Sequence, residues 1–399
     1  MSATNPFFVI FPLLSCLLSV WLIKRRSFDA STQGRFASID GLRGYLAFFV
    51  FLYHTCTNYS YVTIGKWDTP NTNLYLFLGH GSVQLFFMIT SFLFYSKLLQ
   101  TKPNQTKPNQ TSWVKFYLSR LLRLYPLYLF SISLVFIVVL YLSKGVQRES
   151  YWELAKHVAS WVLFGLFGLA DINEINTHVI NAGVIWSLSY EWIFYLSMPV
   201  LAYILKQENR INWIIFSLIG ILLLASMHSL FEGRAFIGGI LAAYLIRNDK
   251  FIMFAKSKIA TCLIFICILG LVQEFIPNNT YVMLGYLLLI FVLIASGNHL
   301  FGILVHPISR ALGDLSYSIY LLHGILLFVA FNILIEKSIV TSANVYWGVV
   351  TIIAPILIFI CHCTYRYIEY PAMTSTDKVM VWLKKVAKKN DQKTQSYSA

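Results

Sequence analysis

Stretches of about 20 mostly apolar residues recur along this sequence, and each is long enough to cross the hydrocarbon core of a membrane as a helix. Hydrophobic residues make up 57% of the chain and charged residues only 12%, about half the charged share of an ordinary soluble domain. So few charges cannot cover a water-facing surface, which excludes a soluble globular protein. We expect an all-α fold, a polytopic transmembrane helical bundle of about eleven spans. The predicted spans are 7–23, 42–57, 74–96, 122–142, 184–205, 211–230, 234–247, 259–276, 281–296, 315–335 and 344–365.

The positive charges are concentrated between alternate spans. The chain has 31 Lys and Arg residues against 17 Asp and Glu, for a net charge of +14. With the N-terminus outside, 25 of the 31 cations fall on the cytoplasmic side and six on the other, and this bias sets membrane orientation. We therefore predict an N-out, C-in topology. The basic charge then indicates orientation and a cytoplasmic anionic ligand, and we expect no nucleic-acid partner.

The chain divides into three predicted parts. Residues 1–35 form an extra N-terminal transmembrane helix and a basic cytoplasmic loop; with no positive n-region or small-residue cleavage site, the helix is expected to be retained. Residues 36–373 carry the remaining spans, and 374–399 form a basic cytoplasmic tail expected to contact anionic lipid. The run 158–170 is too short to span and is predicted to be interfacial or re-entrant. A repeated TKPNQ at 101–110 predicts a flexible loop.

Six cysteines do not indicate a metal centre. All six lie in predicted spans, where cysteine behaves as a small apolar residue. Cys361, His362 and Cys363 are consecutive, and three ligands within one helical turn point to different faces. We expect no bound metal.

Arg43 and His54 are polar residues eleven positions apart in one predicted span. Eleven residues make three helical turns plus about 20°, so the two side chains share a face about 16 Å apart along the axis. Arg43 would lie at the inner headgroups and His54 near the middle of the membrane. The alternatives are an arginine that snorkels to lipid phosphate and a histidine bonded to a neighbouring helix.

Arg120 and Arg123 are three residues apart and therefore adjacent on one helical face. Paired arginines at a water–membrane boundary suit bidentate binding of phosphate. Anchoring the inner end of the span is the alternative explanation.

Ser187 and Glu191 are one helical turn apart, next to Trp186, in a span with no cation nearby in sequence. A carboxyl group in that setting suits proton handling. A structural partner for a helix arginine is the alternative role of Glu191.

Ser316, Tyr320 and His323 step by four and three residues along an otherwise apolar helix. They form one polar stripe, which predicts that this face borders a polar cavity or a neighbouring helix rather than lipid.

Together these motifs resemble the acyltransferase family 3 membrane proteins, the O-acyltransferases of bacterial surface polysaccharides and related acceptors. The resemblance covers about residues 36–373, and six motifs occur in the order of the family: SIDGLRGYLAFFVFLYH, QLFFMITSFLFY, RLLRLYP, IWSLSYEWIFY, LGDLSYSIYLLHG and YRYIEYPA. The chain departs from the family at Thr90-Ser91-Phe92, where the family often has Ser-Gly-Phe. The close packing usually given by that glycine is therefore in question.

The resemblance implies transfer of an acyl group, by default acetyl, from cytoplasmic acyl-CoA to a hydroxyl of a cell-surface or lipid-linked polysaccharide such as O-antigen or exopolysaccharide. Arg120 and Arg123 would hold the donor phosphates, and Arg43 would assist them or position the pantetheine. His54 would deprotonate the acceptor or carry the acyl group, and Glu191 would orient a group or relay a proton. The predicted cavity-lining residues are Trp186, Ser187, Ser316, Tyr320 and His323.

The resemblance also implies a multi-pass protein of the bacterial inner membrane. Acyl-CoA would be a donor substrate rather than a permanently bound cofactor, and the partners would be the acceptor, membrane lipid and polysaccharide-assembly proteins. The principal alternative is a multi-span transporter or flippase of a glycolipid or small solute, although the sequence has no internal repeat of the kind common in transporters.

Overall fold

The protein is all-helical throughout the part of the chain that the structure, a computed structural model, describes: residues 2–27, 36–100, 112–166, 168–205, 211–225, 232–273, 280–340 and 342–397. The TKPNQ repeat lies outside these residues. The α-helices are α1 (Ile10–Ser27), α2 (Ala37–Ile64), α3 (Asn73–Leu76), α4 (Ser82–Gln100), α5 (Trp113–Leu142), α6 (Tyr151–Val162), α7 (Thr177–Ile180), α8 (Trp186–Ile204), α9 (Ile211–Ala225), α10 (Ala235–Leu245), α11 (Asp249–Ala255), α12 (Lys258–Val272), α13 (Thr280–Ala295), α14 (Pro307–Asp314), α15 (Ser316–Val329), α16 (Ala343–Thr364), α17 (Tyr370–Thr374) and α18 (Thr376–Tyr397).

Short π-helical segments lengthen three of these helices. They occupy Phe77–Gly81, Ala330–Leu334 and Tyr365–Glu369, so that α3 continues into α4 and α16 into α17. Five helices of the described residues are long and apolar enough to cross a membrane, or six if the bent pair α11 and α12 counts as one span. The protein is thus a multi-pass membrane helical bundle.

Each of the eleven predicted spans overlaps one of these helices. Several are short: α10 has 11 residues and covers only about 16 Å along its axis. The run 158–170 does not form one helix, because α6 ends at Val162 and turns follow it. The total of eleven spans and their orientation stay predictions.

Helix α1 packs along α16 and is part of the bundle. The Ser15 hydroxyl donates to the Thr351 carbonyl (3.0 Å), and the Trp347 indole N–H donates to the Ala3 carbonyl (3.1 Å). The ring of Phe8 stacks on Trp347, with centroids 5.6 Å apart. The beginning of the chain is therefore fixed on α16 by both polar and aromatic contacts.

Helices α4 and α10 approach each other closely at Ser91. Its hydroxyl is fully buried and donates to the Phe87 carbonyl of its own helix (3.1 Å). A side chain at Gly239 of α10 would overlap the Ser91 Oγ and the Met88 carbonyl. The close packing that the family motif assigns to a glycine on α4 is thus supplied here by a glycine on the partner helix.

Five helices surround the centre of the bundle: α2, α4, α5, α8 and α15. Side chains bond directly between them, since the Tyr317 hydroxyl of α15 donates to the Leu124 carbonyl of α5 (2.8 Å). Tyr45 of α2 likewise bonds Ser309 of α14 (3.0 Å). These contacts bring the polar motifs of separate spans to one place.

Candidate active site

One cavity at the centre of the bundle contains all three arginines of interest, and we call it the arginine cavity. Its empty volume is about 840 Å³, part of which is open to solvent, and it lies between α2, α4, α5, α8 and α15. Its lining comprises Arg43, Val83, Phe86, Phe87, Ile89, Thr90, Leu93, Phe94, Arg120, Arg123, Leu124, Ser187, Leu188, Glu191, Tyr195, Ser316, Tyr317 and Tyr320. Apolar walls with a few convergent polar groups are typical of a small-molecule site.

Local contacts hold two of the arginines at the cavity wall. The Arg120 guanidinium lies over the Phe94 ring, 5.0 Å from its centroid, and its Nε donates to Ser119 (3.4 Å). Arg123 Nη1 lies 2.8 Å from the Met373 sulfur. Within the described part of the chain, neither these arginines nor Arg43 forms a salt bridge. Their charges are permanent, and they are therefore available to an anion.

Glu191 is the one acidic side chain among the residues that line the arginine cavity. It accepts a hydrogen bond from the Tyr195 hydroxyl, which comes from the next turn of α8. With three arginines and one carboxylate, the lining carries a formal charge of +2.

A second cavity, also of about 840 Å³, contains three histidines, and we call it the histidine cavity. It lies farther along α2, beyond Arg43. Its lining comprises Val50, Tyr53, His54, Thr57, Trp67, Thr69, Gly79, His80, Val83, His178, Ala182, Gly183, Trp186 and Tyr320. Among the described residues, no Asp, Glu, Lys or Arg belongs to this lining, and the Trp67 ring stacks near His54 (6.4 Å between centroids, 23° between planes).

His178 reaches the histidine cavity from α7, a short helix in the loop before α8. Its ring lies against Gly183, whose backbone has a φ of +66°, and the edge of Trp67 faces it at 6.4 Å between centroids. Desolvation lowers the pKa of His178 below 6.5, and the Asp171 carboxylate partly opposes that shift. Burial thus favours the neutral form of this ring.

His54 is bonded to a second histidine that lies behind it. Its Nδ1 is 2.9 Å from the Nε2 of His323, and the His323 Nδ1 is 2.9 Å from the Ile319 carbonyl oxygen. His323 is fully buried and lines neither cavity. The expectation that His323 lines the cavity is thus corrected: both its ring nitrogens are engaged inside the protein.

The two cavities meet at a pair of hydroxyl groups. Tyr320 and Val83 line both cavities, and the Tyr320 hydroxyl bonds the Ser187 hydroxyl (2.7 Å). The Val184 carbonyl oxygen is within hydrogen-bond distance of both hydroxyls, 3.1 Å from that of Tyr320 and 3.2 Å from that of Ser187. Because each hydroxyl has one proton, two of these three contacts are hydrogen bonds at a time. This polar cluster lies where the arginine cavity and the histidine cavity adjoin.

The family model of the acyltransferase domain Acyl_transf_3 matches residues 36–366 of this chain, which is most of its length. The chain belongs to the acyltransferase 3 family. No curated protein and no solved structure gives a significant match. The protein is thus a membrane acyltransferase, and both cavities lie within the matched region.

The acyltransferase brings most of the residues predicted from its sequence to these two cavities. Arg43, Arg120, Arg123, Ser187, Glu191, Ser316 and Tyr320 line the arginine cavity, and His54, Trp186 and Tyr320 line the histidine cavity. Glu191 and His54 do not meet, because they line different cavities. A proton relay between them therefore has no direct contact in the structure.

The sequence did not single out Trp67, His80, His178 or Tyr195 as site residues. Trp67, His80 and His178 lie in or next to the segments that precede α4 and α8. These segments are not long regular helices, so no helical periodicity shows which way their side chains point. Tyr195 is different, since it follows Glu191 by four residues. That spacing puts both on one helix face, and it is the signal that could have revealed the bond between them.

Proposed function

We propose that this protein is an O-acyltransferase that moves an acyl group, by default acetyl, from cytoplasmic acyl-CoA to a hydroxyl of a lipid-linked or cell-surface polysaccharide such as O-antigen or exopolysaccharide. One observation carries the proposal: a cationic cavity and an uncharged, histidine-containing cavity meet at a single pair of hydroxyls. The cationic cavity fits a charged donor, and the uncharged cavity fits a neutral acceptor.

The arginine cavity suits the donor. Its three arginines form no salt bridge with a carboxylate among the described residues, and guanidinium groups bind phosphate oxygens in pairs. Arg43 and His54 are about 16 Å apart along α2. The flexible pantetheine arm of coenzyme A is the part of the donor that would bridge this distance, past Tyr320.

The histidine cavity suits a sugar hydroxyl. Its lining offers indole and imidazole rings, hydroxyl groups and no formal charge, and the amphipathic faces of sugars stack on such rings. Within this lining, His54 is the residue whose ring contacts a histidine behind the cavity wall, His323.

In the proposed reaction, His54 takes the proton of the acceptor hydroxyl as its oxygen attacks the thioester carbonyl carbon. The C–S bond then breaks, and the same proton passes to the departing thiolate of coenzyme A. In this scheme the hydroxyls of Tyr320 and Ser187 turn from their present partners to donate to the carbonyl oxygen as it becomes negative. An acyl-histidine route would use the same imidazole nitrogen as the nucleophile.

The proposal includes a location in the bacterial inner membrane, eleven spans and an N-out, C-in topology. The 25 to six division of the cations supports this orientation. It places the arginine cavity toward the cytoplasm, where acyl-CoA is made, and the histidine cavity toward the acceptor. Polysaccharide-assembly proteins are the partners that would deliver the acceptor.

The test is to compare surface glycans and purified membranes from cells that carry the wild type, His54→Ala or a deletion. The deletion should remove an acetyl substituent from the glycans, and His54→Ala should lower acetyl transfer by about 10²–10⁴-fold with normal membrane insertion. Exchanging both Arg120 and Arg123 for alanine should chiefly raise the KM for acetyl-CoA.

His299→Ala is the matched control, because His299 is exposed and lines neither cavity; it should transfer acetyl normally. Unchanged glycans in the deletion strain, together with movement of a glycolipid that needs no acyl-CoA, would show a transporter instead.

A further inference from the structure

His54 and His323 form a stacked, hydrogen-bonded pair between α2 and α15. Their ring centroids are 5.0 Å apart with 21° between the planes, and Nδ1 of His54 is 2.9 Å from Nε2 of His323. His323 has no exposed surface, whereas His54 is half-buried and borders the histidine cavity. One imidazole thus faces the cavity and the other supports it from inside the protein.

The backbone determines which nitrogen of His323 carries the proton. The Ile319 carbonyl oxygen, 2.9 Å from His323 Nδ1, can only accept a hydrogen bond. His323 Nδ1 must therefore carry the hydrogen, and in the neutral ring Nε2 is then an acceptor. His54 Nδ1 must in turn donate to it, which leaves Nε2 of His54 without a proton.

The other proton arrangements are unfavourable. If His54 carried its proton on Nε2, the lone pair of its Nδ1 would face the lone pair of His323 Nε2 at a distance of 2.9 Å. A doubly protonated His323 would place a full positive charge in a buried site, and among the described residues no carboxylate forms a hydrogen bond or ion pair with either ring. Burying an unpaired charge is costly.

We propose that His323 is a positioning residue that holds His54 in the tautomer with its basic Nε2 directed to the cavity. The inference rests on the proposed acyl transfer for its purpose, but the tautomer itself can be measured independently. An imidazole without a partner prefers the proton on Nε2, the wrong nitrogen for a base at this position. The hydrogen bonds that run from the Ile319 carbonyl through His323 to His54 reverse that preference.

This arrangement assigns each proton during the reaction. His54 Nε2 takes the proton of the acceptor hydroxyl and becomes an imidazolium, while its Nδ1–H stays bonded to His323. The neutral His323, backed by the Ile319 carbonyl, accepts that bond more strongly once His54 is charged. When the thiolate of coenzyme A leaves, Nε2 returns the proton to it, and the pair regains its starting state.

The first test is ¹⁵N NMR of the full-length protein in detergent with histidine ring nitrogens labelled, using His54→Ala to assign the His54 signals. We expect wild-type His54 to show a protonated Nδ1 and a bare Nε2. In His323→Ala, the proton should move to Nε2. A wild-type His54 protonated on Nε2, or a spectrum of His54 that does not respond to His323→Ala, would overturn the proposal.

The second test separates positioning from folding by kinetics. His323→Ala should lower kcat for acetyl transfer by at least about tenfold, because the base is in the wrong tautomer, and leave the KM for acetyl-CoA unchanged. His323→Gln retains a side-chain oxygen that can accept from His54 Nδ1–H, and it should recover part of kcat. Equal kcat in wild type and His323→Ala, or a loss that appears only in the KM for acetyl-CoA, would refute the role.

Failure of the proposed function would look different. If wild-type protein showed the expected His54 tautomer but transferred no acyl group, the role of His323 in setting the tautomer would stand and the proposed reaction would be wrong. If active protein had His54 protonated on Nε2, the proposed reaction would stand and the role of His323 would be wrong.

Discussion

Gly183 shows how a single residue can set the shape of the histidine cavity. Its φ of +66° lies in the left-handed region, and a side chain there would overlap the ring of His178. Glycine is thus required at this position for two reasons. It adopts the left-handed backbone conformation without strain, and it leaves room for the His178 ring. The position of His178 in the cavity depends on that space.

We predict that Gly183→Ala impairs acyl transfer by displacing His178, with a raised KM for the acceptor and an unchanged KM for acetyl-CoA. Gly65→Ala is a matched control, since Gly65 has a similar φ of +74° but no atom within 4 Å of the added methyl group. Both substitutions carry the backbone cost of about 1–2 kcal/mol. Equal acceptor KM values in the two variants would contradict a role for the contact with His178.

At the residue scale, the sequence predicted those site residues that stand at helical spacing. Arg43, His54, Ser187 and Tyr320 each lie on the cavity side of a regular helix, where a period of 3.6 residues fixes their direction. Trp67 and His178 depend instead on loop conformation, which no periodicity encodes. The direct bond between His54 and His323 required knowing how α2 and α15 pack.

Helix α1 is the element whose role the sequence left open, and its contacts make it structural. The Ala3 carbonyl accepts not only the Trp347 N–H but also the Tyr75 hydroxyl (3.4 Å). Cys16 and Val20 are buried against the bundle. The helix lies outside the matched family region but closes one side of the same bundle.

We predict that Trp347→Phe, which removes the N–H donor and puts a smaller ring at a buried site but keeps an aromatic contact with Phe8, destabilises the protein by at least about 1 kcal/mol. The measurement is the thermal unfolding midpoint in detergent. Trp382→Phe on α18 makes the same exchange at a side chain that is 60% exposed, and it should leave the midpoint unchanged. Identical midpoints for the two variants would show that the docking bond adds nothing.

At the element scale, the apolar runs predicted the presence of helices better than their ends. The π-helical segment Tyr365–Glu369 carries α16 past the predicted end at residue 365, because a short change of hydrogen-bond register leaves the apolar pattern intact. The bend of 65° between α11 and α12 likewise depends on packing. Composition alone does not specify either feature.

For the whole molecule, the charge asymmetry makes a prediction about which loops face outward. In a Cys262→Ser background, a membrane-impermeant maleimide should label Lys144→Cys in intact cells, since Lys144 lies in the exposed turn after α5. Asp249→Cys, at the exposed start of α11, should react only after the cells are permeabilised. The reverse pattern would invert the proposed topology and place the arginine cavity on the wrong side for acyl-CoA.

The contact between the two cavities has a consequence for where the products of the proposed reaction end. Among the described residues, Tyr320, Ser187 and the Val184 carbonyl form a polar cluster where the cavities adjoin, and under the proposed function only the acyl group passes it. Under the proposed function, the spent carrier returns to the cytosol while the new ester remains beyond the bilayer. The two products therefore end in different compartments, as the two substrates began, and the nucleotide that supplied the group would stay inside the cell.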